Sequence, residues 1–350
     1  MPAKRPLVAV IFNQVGPDEY LALRKVDPET LGFETEYGID VATELEEYEA
    51  IGKALRKVGF RAELFNMKDD VDRLISYLRR RRIDVVFNLV EHVRSESGLE
   101  LAVAGLFELM GVPYTGSGPF ALGLCLRKGT TKQVLLANGI RTPRFHLLEV
   151  PELRRRHGLH FPIIVKPARE DASVGVEAES VVYDQTQLHE RVAKAYADHG
   201  PPILVEEFIE GRELHVSVLG NDPPRALPIL EYDLSRLAPE LPRIISYAGK
   251  WDPLKEEFHR VDAICPAKLS RQVERRVREA ALAAYRLTGC RGYARVDVRL
   301  SKDSKVYILE VNPNPDLTED VSFMASAGAA GMSFAQTLKA IVEMALPRRA

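Results

Sequence analysis

Cysteine is scarce. There are three in 350 residues, Cys125, Cys265 and Cys290. They are odd in number, far apart and without metal-ligand spacing, which argues against a disulfide framework and a zinc cluster. A reducing cytoplasm is the compartment this suggests. An excess of one sign of charge is lacking too: 48 Lys+Arg stand against 50 Asp+Glu. No general electrostatic reason to expect nucleic acid or an anionic membrane as partner follows, and any anion site has to be local. No apolar segment approaches the roughly 18 residues of a membrane span. The opening MPAKRPLVAVIFNQ sets basic residues before an apolar run, but the run is short and has no small-residue cleavage site, so it reads as a first strand rather than a leader. Internal repeats and low-complexity tracts are not found.

What is present fits a soluble α/β enzyme, too long for one small core and suited to two or three lobes. The apolar run 7–12 resembles a fully buried parallel strand, feeding a polar loop through Gly16 and Pro17. Val41, Leu45, Tyr48, Ile51, Leu55 and Val58 step at helical intervals up to Gly59. Strand, helix and strand repeat over 61–65, 71–78 and 83–89, which predicts a doubly wound N-terminal lobe closed by GVPYTGSGP at 111–119. Short helices over 120–138, strands around 161–179 and 202–209, and helices at 187–197 and 270–288 predict α+β lobes with antiparallel sheets. The polar, weakly periodic stretch 249–266 is expected to be a loop over a cleft. The lobes are expected at 1–118, 119–205 and 206–350.

The stretch YARVDVRLSKDSKVYILEVNPNPDL, residues 293–317, reads as a hairpin with charge where apolar side chains belong. Alternation puts Arg295 and Asp297 on one face, with Val296, Val298 and Leu300 on the other; it also groups Ile308, Glu310 and Asn312. If Asp297 pairs with Glu310, Arg295 falls opposite Asn312, and hard oxygens converge in a way that suits magnesium with substrate phosphates. The bland alternative is a surface salt-bridge ladder with Arg295 pairing Asp297. In KPAREDASVG, 166–175, a strand delivers Lys166 to a loop whose backbone amides, at Ser173 and Val174, suit phosphate; an edge lysine guarding against aggregation is the alternative. In EEFIEGREL, 206–214, the connector Glu206, Glu207, Phe208 and Ile209 offers backbone groups for an adenine edge and Glu213 for ribose hydroxyls, against plain solvated acids. Lys128, Lys132 and Lys250 also read as solvated cations, and His92, His146 and His215 as structural.

In order along the chain, FNLVEH, GVPYTGSGP, IIVKPAREDASVG, ILVEEFIEGREL, SYAGKWDP, CPA, GYARVDVRL and ILEVNPNPD resemble the ATP-grasp carboxylate-amine ligases, specifically the D-alanine:D-alanine ligase group. The resemblance covers nearly the whole chain. It implies three lobes, with ATP held between two antiparallel sheets, and ATP with two Mg2+ ions as cofactors. Lys128 and Lys166 then match lysines contacting nucleotide phosphate and adenine. Glu206, Glu207 and Ile209 match the adenine connector, and Glu213 the ribose acid. Asp297, Glu310 and Asn312 match the metal ligands, Lys250 a loop lysine that meets phosphate, and Arg295 the arginine that stabilises charge at the reacting carbonyl. The implied reaction activates a carboxylate as an acyl phosphate that an amine displaces, beneath a closing loop around Lys250.

Four positions depart from the dipeptide ligases. The loop NQVGPDEY at 13–20 lacks the acidic motif for the first substrate's amine, Ala172 stands for a serine, Asp316 for a glycine, and Val321 for a serine. These point away from D-alanine towards another amino acid or small peptide. Glu91, Arg94, Glu100 and Asp316, with Glu319, are the candidate acceptor-pocket residues; solvated loop charge is the alternative. D-alanine:D-alanine ligase proper, a noncatalytic ATP-binding protein and a small-molecule kinase are the rival readings. Small-molecule substrates, no nucleic acid or membrane partner, and a homodimer complete the expectation.

Overall fold

Leu7–Phe12 is buried at every position, and a run without a polar face requires neighbours on both sides. It pairs in parallel with Arg61–Asn66 and with Val85–Leu89, giving a three-stranded sheet with this strand at its centre. The computed structural model describes residues 5–16, 20–153, 156–170, 173–319 and 321–347, so Pro17 and Ala172 lie outside the described residues. Alternate side chains of the central strand serve opposite cores. Val8 and Val10 join Ile51 and Leu55 of helix Glu44–Lys57 and, from the far end of the chain, Leu338, Ile341 and Val342 of helix Phe334–Ala345. Ala9 and Ile11 pack with Leu74 and Leu78 of Val71–Arg80 and with Val103 and Phe107 of Glu100–Leu109. The doubly wound expectation holds, but one covering helix comes from the C-terminus.

The first long helix starts at Glu44, three residues past the first periodic residue, because Thr43 closes a capping box with Glu46. A second sheet contains Phe145–Leu148, Ile203–Glu207, Ile163–Pro167 and Val181–Val182 in that spatial order, backed by helix Gln185–His199. Its strand Ile203–Glu207 runs two residues past position 205. A third, six-stranded antiparallel sheet is built around Gly211–Leu219 and Tyr293–Ser301 and backed by helix Arg271–Leu287. The stretch expected as a loop at 249–266 is instead structured: helix Tyr247–Trp251, a 3-10 turn at Glu256–Arg260, and strand Asp262–Ile264 pairing with Leu230–Asp233. Elements of three to five residues are too short to show a period in the sequence.

Gly211 joins the last strand of the second sheet to the first of the third. A Cβ there would lie 2.0 Å from the carbonyl oxygen of Leu300, so no side chain fits without moving backbone. Gly211→Ala is expected to cost about 2–4 kcal/mol, read as a fall in Tm relative to the parent chain.

Candidate active site

The hairpin register sets the floor of a cleft between the two antiparallel sheets. Tyr293–Ser301 pairs with Val306–Asn312 so that Arg295 lies opposite Asn312 and Asp297 opposite Glu310. A bulge follows: Val298 pairs with Ile308, leaving Leu309 as the extra residue. The expected grouping of Ile308 with Glu310 and Asn312 is therefore corrected. Ile308 turns into the core with Val298, while Leu309 and Glu310 both face the cleft. Arg295 and Asp297 do pair, at 2.7 and 2.9 Å in a fork, as the salt-bridge alternative supposed. That alternative fails on exposure, however: the two residues are only 4% and 6% exposed. Burial pulls the Arg295 guanidinium down, but Asp297 more than reverses this and leaves it above its ordinary value.

The cleft brings together Lys128, Lys166, Ser173, Val174, Lys250, Arg295, Asp297 and Glu310 with the connector Glu206, Glu207, Phe208, Ile209 and Glu213. Lys166 contacts Glu206 at 2.7 Å, and the same carboxylate takes Lys132 at 2.7 Å. Lys132 is thus not a solvated cation; it is 1% exposed and donates to Thr142 Oγ1 at 2.7 Å. Burial drives the Glu206 carboxyl up, and the two lysines together bring it below its ordinary value. For Lys132, burial wins and lowers the ammonium. Lys128 donates to the carbonyl of Glu170 and lies 3.6 Å from Glu310. Beside it, Ser173 adopts a left-handed φ of 64°, a conformation that non-glycine residues rarely take outside special sites. The returning end of this loop is held by the buried Arg191, which donates to the Gly175 carbonyl at 2.8 Å and to Ser180 Oγ at 2.7 Å.

On the connector, the amides of Glu207 and Phe208 already donate to the carbonyls of Arg144 and Pro162, both at 2.9 Å. Glu213 meets Arg299 Nη2 at 2.7 Å; burial pushes its carboxyl up, with Arg299 opposing. Arg299 also lies 5.2 Å from the centre of the Phe208 ring. The sequence reading missed it, although it shares parity with Arg295 and Asp297 on one strand. His215 was read as isolated, yet it pairs opposite Asp297 in the sheet, with Nε2 at 3.6 Å from that carboxylate. Burial, then Arg295 and Lys250, hold its imidazole well below the ordinary range, so this contact is to a neutral ring. Lys250 lies in the cleft wall with its ammonium lowered by burial and then by Arg295.

Asn312, Glu91, Arg94, Glu100 and Asp316 stand outside the cleft lining. Asn312 Oδ1 accepts from the amide of Asn314 at 3.0 Å, and Asn314 Nδ2 donates to Glu100 at 2.8 Å. Tyr293 joins this neighbourhood by donating its hydroxyl to Asn314 Oδ1 at 3.0 Å, and that hydroxyl is raised by burial first and then by Glu100 and Glu91; the Tyr48 hydroxyl is raised by burial and then by Glu91, Glu44, Glu47 and Asp316. Glu44 and Glu47, on the first turns of helix Glu44–Lys57, are acidic groups the sequence reading overlooked by searching residues 13–20 instead. Arg94 is elsewhere: its amide donates to Asp69 Oδ1 at 2.7 Å and its side chain is exposed.

Among the described residues no three His, Cys, Asp or Glu side chains gather closely enough to enclose a metal. Magnesium takes one or two carboxylates and completes its shell from phosphate and water. Asp297, Glu310 and Asn312 are hard oxygen donors, and a carboxylate forked to one guanidinium retains lone pairs for an ion. The residues therefore fit a divalent cation that arrives with a phosphate chain.

A family model described as "D-ala D-ala ligase C-terminus" matches residues 137–343. The D-alanine–D-alanine ligase of Desulforudis audaxviator is 36% identical over 304 residues, 85% of this chain and 92% of that protein. A second protein of that name, from Cupriavidus pinatubonensis, is 33% identical over 339 residues, 93% and 95% of the two chains. The crystal structure of D-alanine–D-alanine ligase from Bacillus anthracis complexed with ATP superposes with a TM-score of 0.72 at 24% identity, covering 97% of each chain.

Proposed function

The chain belongs to the D-alanine–D-alanine ligase family of ATP-grasp enzymes and is an ATP-dependent C–N ligase, and from that premise we propose that it joins an amino acid or small peptide to an amine through an acyl phosphate. One observation carries the reading: Asp297 and Glu310 pair across the hairpin in the same cleft as Lys128, Lys166 and Lys250. Two carboxylates facing three cations suit a metal–triphosphate better than a free anion or a free metal.

In this reading the nucleotide lies between the two antiparallel sheets. Ile209 and the carbonyls of the Glu206–Glu207 segment meet the adenine, and Glu213 meets the ribose. The backbone amides of Ser173 and Val174, with Lys128 and Lys166, hold the phosphates. Two magnesium ions, held by Asp297, Glu310 and Asn312, would neutralise charge on the phosphate oxygens. The substrate carboxylate attacks the γ-phosphorus and ADP leaves. The amine then attacks the acyl carbon and phosphate leaves, with Arg295 balancing charge on the carbonyl oxygen. Lys250 offsets charge during phosphoryl transfer, and its segment excludes water from the acyl phosphate. Positioning and charge, rather than a protein nucleophile, are what phosphoryl transfer asks of such a site.

For the acceptor, the acids Glu91, Glu100, Glu44, Glu47 and Asp316 around Tyr48 and Tyr293 favour a substrate that presents an amine. D-alanine itself is the second reading, favoured by the name of the 36% identical relative. Three lobes divided near 118 and just past Glu207, with helix Phe334–Ala345 completing the first, a cytoplasmic setting and a homodimer go with the proposal. No helix among the described residues is long and apolar enough to cross a membrane. Incubation with ATP, magnesium and pools of L- and D-amino acids tests it. Release of ADP and phosphate with a condensed mass is expected. A phosphorylated product would indicate a kinase, and nucleotide binding without turnover in any pool a binding protein.

A further inference from the structure

We infer that residues 20–41 are a strap from the first lobe that holds the segment 247–264 closed over the cleft, and that His259 fastens it, acting as a positioning residue for Lys250. The inference rests on the ligase reading only in that Lys250 serves the reaction. His259 has no exposed surface. Its Nδ1 accepts from the amides of Glu36 at 3.2 Å and Tyr37 at 3.1 Å, 223 and 222 residues away in sequence. Its Nε2 lies 2.9 Å from the carbonyl oxygen of Pro253, which can only accept. The network therefore assigns the ring one hydrogen, on Nε2, and a lone pair on Nδ1 shared by two strap amides. Phe33 and Tyr37 of the strap and Phe258 of the lid pack around the ring, with centroids at 5.4, 6.1 and 5.3 Å.

Ion pairs surround this fastening. Glu36 meets Arg236 and, at 2.7 Å, Arg260; Asp262 takes Arg236 at 3.2 Å and the Tyr37 hydroxyl at 2.7 Å. Further along, the Tyr20 hydroxyl donates to the carbonyl of Trp251 at 3.4 Å. The strap brings almost no core of its own, since its short helices Tyr20–Leu23 and Pro28–Thr30 bury no residue. On the first lobe's side it is anchored through Arg24, which pairs with Asp40 at 2.8 Å and with Glu46 of helix Glu44–Lys57 at 2.6 Å, so the strap bridges that lobe and the lid. At its other end the lid is tied to the phosphate loop, where the amide of Tyr247 donates to the carbonyl of Val176 at 2.8 Å. Lys250 lies between the two attachments, its ammonium 4.8 Å from the centre of the Trp251 ring. Releasing the strap frees one side of the short helix that carries Lys250.

The chain has a single tryptophan, Trp251, so acrylamide quenching of its emission in the full-length protein reads lid opening directly. His259→Leu keeps the bulk and removes the acceptor; His259→Asn offers an amide oxygen near the position of Nδ1; Glu36→Gln removes the ion pairs from a partly exposed position. His259→Leu is expected to raise quenching by roughly twofold. It should also lower kcat by roughly tenfold to a hundredfold with KM for ATP little changed, the split that follows from misplacing a group needed in the transition state. His259→Asn should restore both readings, and Glu36→Gln should move both in the direction of His259→Leu. Quenching is measured without substrate. A shift in a protein that turns over no amino acid would support the strap and count against the ligase reading. Unaltered quenching and kcat in folded His259→Leu or Glu36→Gln would overturn the strap. So would a His259→Asn variant indistinguishable from His259→Leu. If His259→Leu does not fold, Glu36→Gln decides.

Discussion

Glu310→Gln is expected to lower kcat by roughly a thousandfold while leaving Tm within a degree or two. The structure separates this residue from its partner across the hairpin. Glu310 has a side chain 26% exposed and lies 3.6 Å from the buried Lys128, which keeps its hydrogen bond to the Glu170 carbonyl when the charge is lost, so less is forfeited than at a forked, fully buried pair. Asp297 differs, because it is the forked counter-ion of the 4% exposed Arg295. Asp297→Asn should therefore abolish turnover and also cost about 3 kcal/mol, the penalty for leaving a buried charge half-compensated. Parallel activity and calorimetry on the two variants check both claims. Full activity in Glu310→Gln would remove that carboxylate from the metal–phosphate site.

Glu206→Gln is expected to be the most destabilising of these changes, by about 3–5 kcal/mol, which corresponds to a fall in Tm of roughly 5 °C for a chain of this length. One carboxylate, 1% exposed, faces the ammonium groups of Lys132 and Lys166, both at 2.7 Å. Take its charge away and two cations remain with no counter-ion. The pH dependence has a definite sign. Because the folded Glu206 carboxyl lies below its ordinary value, its contribution is present above the ordinary carboxylate range and is lost as pH falls through the folded value. Removing the carboxylate leaves Lys132, already lowered by burial, without its compensating charge. The unfolded state then binds more protons, and the variant should gain stability as pH rises. Thermal midpoints across pH for both proteins test this; a variant whose Tm is independent of pH would show that Lys132 does not carry a buried charge.

Periodicity and parity were enough to reveal the central buried strand Leu7–Phe12, the long helices, and the face shared by Arg295 and Asp297, because strand alternation is a local property of the backbone; the pairing of Asp297 with Glu310, supposed from the sequence, is what the register shows. The same parity, carried two residues further, would have found Arg299. Ile308 could not be placed that way: a bulge shifts the phase by one residue, and nothing in ILEVN announces where the partner strand will slip. Lys132 looked like a surface cation because its burial depends on Glu206, 74 positions away and on another element. The place of His215 beside Asp297 depends in the same way on a distant strand.

The sequence by itself determined the order of the longer elements, the family, and the charged hairpin on which nucleotide chemistry depends, since each is written in neighbouring residues. Only the tertiary structure decided which cations share a carboxylate, that helix Phe334–Ala345 completes the first lobe, and that residues 20–41 fasten a lid through His259. Those outcomes depend on burial and on contacts between distant segments, whose strength arises when water is excluded from both partners at once.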